Sequence, residues 1–122
     1  MFEVPETRFE ELVSEALDEI PDALAARMDN VAVFVEDEPA PEQAPPDGDL
    51  LLGLYEGVSL THRGPLSYDG VMPDRITIYR LPICQISRTE EQVRRQVLET
   101  VVHEVGHHFG LDDDDLHELG WG

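Results

Sequence analysis

The chain has 122 residues, enough for one domain with a single core, and one domain over residues 1–122 is expected. Lys+Arg number 8 against Asp+Glu 27, a formal net charge of −19, and such a field repels phosphate backbones and disfavours nucleic acid as a partner. The single cysteine, Cys84, excludes an intrachain disulfide. No apolar segment has the length of a membrane span and the acidic N-terminus does not read as a signal peptide, so a soluble cytoplasmic monomer is the expectation.

Thr7-Arg8-Phe9-Glu10 reads as a capping box, and Phe9, Leu12, Val13, Ala16, Leu17 and Ile20 follow at helical spacing up to Pro21. This predicts an amphipathic backing helix with a solvated acidic outer face, and residues 22–28 add a turn or two. Val31-Ala32-Val33-Phe34-Val35 is a continuous β-branched and aromatic run, the pattern of a strand covered on both faces. Residues 36–49 hold four prolines among acids and predict an exposed, mobile loop.

A second strand is expected over residues 50–55, with Gly53 and Gly57 marking a bulge or turn. His62 and Arg63 fall in the polar segment that Gly64-Pro65 closes, and Ser67-Tyr68-Asp69-Gly70 is a further turn. Residues 74–80 alternate and are β-rich, predicting a third strand that Leu81 continues, with Cys84 as a small core residue in a strand. Ser87-Arg88-Thr89-Glu90 reads as a second capping box, opening a long helix to Phe109. On its wheel Val93, Val97, Leu98, Val101, Val102, Val105 and Phe109 fill one half. His103 and His107 fall near the opposite side with Gln96 and Thr100, and His108 falls at the edge of the apolar half.

His103-Glu104-Val105-Gly106-His107-His108-Phe109-Gly110-Leu111-Asp112-Asp113 concentrates the chemistry. Histidines four apart on a helix present two imidazoles to one point, which is what a zinc ion takes from a helix. Glu104, beside the first of them, can reach a water on the metal as general base. Gly110 can take the left-handed conformation that ends the helix, and the turn can then bring Asp113 round as a third ligand. Two imidazoles, one carboxylate and an open fourth position describe a catalytic zinc site, although iron, manganese or cobalt suit the same donors. Asp112 is the nearest rival to Asp113, and His117 would close the site as a fourth ligand. His108 is assigned to packing or a hydrogen bond behind the site, with a substrate contact as the other reading.

The HExxHxxGxxD stretch resembles the zincin metallopeptidases, and its extension is similar to the metzincin signature with Asp in place of the last His. More closely, the chain resembles a small bacterial zincin-like family once catalogued only as a domain of unknown function. Leu51-Leu52-Gly53-Leu54-Tyr55-Glu56-Gly57, Leu60-Thr61-His62-Arg63, residues 74–80 and the run from His103 to Trp121 carry that resemblance. It implies an α+β minimal zincin: a small mixed β-sheet, a backing helix and a long metal-site helix, with Asp113 at the spacing of the third ligand. It also implies a sheet edge beside the metal on which an extended peptide pairs. Unlike metzincins, the chain has no methionine after Asp113 to form a Met-turn. The function so implied is zinc-dependent hydrolysis of a peptide or protein substrate, with Glu104 as base and His62, Tyr68 and His117 as candidates for stabilising the oxyanion. The rival is a non-catalytic metal-binding or protein-interaction domain on the same scaffold.

Overall fold

The computed structural model describes residues 2–28, 31–43, 50–57 and 74–110. In chain order these form α1 (Glu6–Leu17), α2 (Asp22–Ala25), a 3₁₀ turn (Ala26–Met28), β1 (Val31–Glu36), a second 3₁₀ turn (Pro41–Gln43), β2 (Gly53–Glu56), β3 (Asp74–Tyr79), α3 (Arg80–Gln85) and α4 (Glu90–His108). The sheet has three strands in the order β1-β3-β2, with β1 parallel and β2 antiparallel to β3. This is the small mixed sheet with helices expected of an α+β zincin-like chain. Among the described residues no helix is long and apolar enough to cross a membrane.

α1 buries Phe9, Leu12, Val13 and Ala16, the stripe that its periodicity predicts. Its start differs from the expectation: Pro5 is the N-cap, with no side-chain cap hydrogen bond, and Thr7 lies inside the helix. Proline suits that end because its missing N–H removes a donor that would have had no intrahelical partner. Arg8 crosses from α1 to hydrogen-bond Glu90 at 2.5 Å, tying the backing helix to the first turn of α4. That guanidinium holds the Glu90 carboxyl below its ordinary range. Pro21 caps α2, the extra helical turn expected there.

The strand order corrects two expectations. β1 is an edge strand of this sheet rather than one covered on both faces, and Phe34 is 44% exposed with the Arg75 guanidinium 4.5 Å over its ring. Apolar content alone does not separate an edge strand from a central one. β3 is the central strand, and its consecutive residues Ile76, Thr77, Ile78 and Tyr79 are all buried. The chain turns into α3 at Arg80, so Leu81 does not continue the strand, and Cys84 is a core residue on a helix. Arg80 enforces the turn by hydrogen-bonding Asp37 at 2.9 Å and the Val4 carbonyl at 2.7 Å.

Part of the proline-rich segment is also tied down, because the Tyr79 hydroxyl donates to Gln43 at 3.0 Å. Residues 44–49 of that segment lie outside the described residues. β2 begins at Gly53, later than its apolar run suggests.

α4 keeps the core face read from the wheel, burying Val93, Val97, Leu98, Val101, Val102 and Val105 together with Thr100 and Gly106. Its N-cap is Thr89, not Ser87: the Thr89 hydroxyl accepts from the Gln92 amide at 3.1 Å. Gln92 reaches back to accept from the Arg88 amide at 2.8 Å. The buried Ser87 hydroxyl instead donates to the Ile83 carbonyl at 2.8 Å, closing α3. At the other end Phe109 is the C-cap and Gly110 has φ +83°, the left-handed conformation predicted for it.

Candidate metal and catalytic site

β2 and α4 run side by side in the same direction, and their repeats nearly match. Two strand residues advance about 6.6 Å, and four helical residues about 6 Å. Three successive contacts follow. A Cβ on Gly53 would lie 2.6 Å from Thr100 Cγ2, so only glycine lets the helix approach the strand this closely. Two residues on, the Tyr55 amide donates to Glu104 Oε1 at 3.1 Å. Two further on, a Cβ on Gly57 would lie 3.1 Å from His108 Cε1.

Glu104 is therefore held at the open edge of the sheet. Tyr79 donates its amide to the Leu52 carbonyl, which makes 52, 54 and 56 the positions whose amides and carbonyls face β3. Gly53 and Tyr55 present theirs outward, and the outward amide of Tyr55 is the one that Glu104 accepts. A carboxylate fixed by a backbone donor keeps a second oxygen for other chemistry.

His103 is oriented from its own helix: Nδ1 lies 2.8 Å from the Glu99 carbonyl. A carbonyl only accepts, so Nδ1 carries the proton and Nε2 of the neutral ring keeps its lone pair, the tautomer a metal requires. The rings of His103 and His107 have centroids 6.0 Å apart at 70°. These donors fit a zinc ion. Among the described residues no three His, Cys, Asp or Glu side chains gather as a metal cage. A three-ligand site on this helix thus takes its third donor from outside them. Asp113 lies there, as do His62, Tyr68 and His117, so the structure brings together Glu104, His103, His107 and His108 of the expected set.

His108 faces away from that pair. Its ring stacks on Tyr55 with centroids 3.9 Å apart, and its Nε2 is 3.7 Å from Asp74. The Tyr55 hydroxyl donates to Asp74 at 2.9 Å. Desolvation first, and then that carboxylate, push the Tyr55 phenol well above its ordinary range, so it stays protonated and donating. Sequence reasoning did not find Tyr55, Asp74 or Thr100 as parts of the site. The signal available for them was the matched pair of repeats, positions 53, 55 and 57 against 100, 104 and 108.

A groove of about 300 Å³ opens beside His103 and Glu104, walled by Leu51, Leu52 and Gly53 on one side and by Gln96, Glu99 and Thr100 on the other. Thr100, expected to line an open cleft, is 8% exposed beneath Gly53.

Residues 28–121 match the family model described as zincin-like metallopeptidase. Among solved structures, a conserved hypothetical protein from Thermo thermophilus is 27% identical with a TM-score of 0.55, over 86% of this chain and 94% of that one. No curated protein matches the sequence.

Proposed function

The chain belongs to the zincin-like metallopeptidase family, and on that premise we propose that it hydrolyses peptide bonds with one zinc ion held by His103, His107 and Asp113. Zinc, when bound, supplies a Lewis acid that polarises a carbonyl and lowers the pKa of a water. The residues do the rest. His103 offers Nε2 because its Nδ1 proton is committed to the Glu99 carbonyl. Glu104 takes a proton from the attacking water and passes it to the leaving amine. The observation that carries this reading is the Tyr55 amide on Glu104: it fixes a carboxylate where an extended peptide would meet the edge of β2. β2 is accordingly the strand assigned to hold substrate, through the outward groups of Gly53 and Tyr55.

The test is cleavage of a broad peptide library by zinc-supplemented protein, with and without a chelator. Cleavage that the chelator abolishes and added zinc restores is expected. Zinc-loaded protein that cleaves nothing at any pH would instead favour a non-catalytic metal-binding domain on the same scaffold.

A further inference from the structure

The groove beside Glu104 does not end at Gln96. A second groove, of about 480 Å³, shares Gln96 and Glu99 with the first and continues along α4 to Arg88, Gln92, Arg95 and Ile86. Its charge runs against the rest of the chain. Of 8 basic residues in a protein of net charge −19, two guanidiniums stand here against the single carboxylate of Glu99. Arg94, on the neighbouring face, is engaged by Glu19 and Glu91. Arg95 meets Glu99 only at 3.4 Å with its side chain 75% exposed, a pair that exchanges readily for another carboxylate. The Arg88 guanidinium makes no ion pair among the described residues.

We propose that this track binds the part of the substrate that follows the scissile bond and selects an acidic side chain there. The inference rests on the peptidase reading of the same site and names its substrate class. A peptide pairing antiparallel to β2 runs opposite to α4, since strand and helix are parallel, so its C-terminal half lies toward Arg95 and Arg88. From His103 back to Arg95 is about 12 Å along the helix. An extended peptide covers that in about four residues. The residue just past the bond meets Leu51, Leu52 and Gly53 and is apolar. The third and fourth residues past it meet the guanidiniums and are Asp or Glu. The acidity of the whole chain does not prevent this, because at physiological salt charges farther than about 8 Å are largely screened.

Binding tests it without cleavage. Fluorescein-labelled peptides with leucine after the central bond, and either Glu-Glu or Lys-Lys at the third and fourth positions beyond it, are titrated by anisotropy into zinc-supplemented Glu104→Gln protein. The Glu-Glu peptide is expected to bind about tenfold more tightly. The order reverses in an added Arg88→Glu, Arg95→Glu pair and is kept when both arginines become lysine. Equal affinities, absence of binding, or an unchanged preference after charge reversal would overturn the proposal. A chelator-insensitive or absent cleavage with the charge preference intact would sink hydrolysis alone and leave the peptide track standing.

Discussion

Glu104→Gln is expected to lower peptide cleavage by about 10²- to 10⁴-fold while zinc content and thermal stability stay close to those of the parent. The variant is informative because of where the carboxylate sits. Glutamine keeps an Oε1 acceptor for the Tyr55 amide, which Glu104 holds at 3.1 Å, so the contact between α4 and the sheet edge survives. What disappears is the basic oxygen that collects the proton. A loss of this size at constant metal content therefore reads the proton transfer and not the architecture. Peptidase activity unchanged in zinc-loaded Glu104→Gln would remove Glu104 from the mechanism.

Gly53→Ala is expected to destabilise the fold, although alanine is ordinarily the better residue. Replacing glycine stabilises by about 0.4–1 kcal/mol through the unfolded chain. Here the new Cβ would sit 2.6 Å from Thr100 Cγ2 and 3.2 Å from the Thr77 carbonyl. Thr100 cannot simply rotate away, because its hydroxyl donates to the Gln96 carbonyl at 2.7 Å. Overpacking of this kind costs about 1–3 kcal/mol and outweighs the entropic gain. The melting temperature should fall by roughly 3–8 °C. Thr100→Ser removes the methyl and keeps the hydroxyl, so the double variant should recover most of the loss, a coupling of about 1 kcal/mol or more. Gly53→Ala as stable as the parent, or equally impaired with serine at 100, would refute the close approach of strand and helix.

The two elements of that contact were unequally legible in the sequence. α4 was readable because a helix's pattern is local: seven apolar positions at helical spacing gave the core face, and the same wheel put His103 and His107 on the other side. Gly110 was readable for the same reason, as a residue whose left-handed backbone ends the helix. β2 showed itself as a strand, but Gly53 looks like a bulge to any local rule. Its partner lies 47 positions later at Thr100, and nothing near Gly53 announces it. Tyr55, Asp74 and His108 are likewise joined across long separations by stacking and a hydrogen bond, which composition does not encode.

The helix starts failed for a different reason. Ser87-x-x-Glu90 and Thr89-x-x-Gln92 overlap in one stretch, and the choice fell to Thr89 because α3 claims the Ser87 hydroxyl. Thr7 lost its cap to Pro5. The exposure of β1 was hidden because Val31 to Val35 would read the same at the centre of a sheet.

The central claim is that α4 carries a zinc site built on His103 and His107. Elemental mass spectrometry of untagged protein, purified without chelators, tests it most directly. The account predicts about one zinc per chain, falling below about a tenth of that in His107→Ala and in Asp113→Ala. Protein that takes up no zinc even after incubation with it, or a His107→Ala variant that holds as much as the parent, would contradict the account.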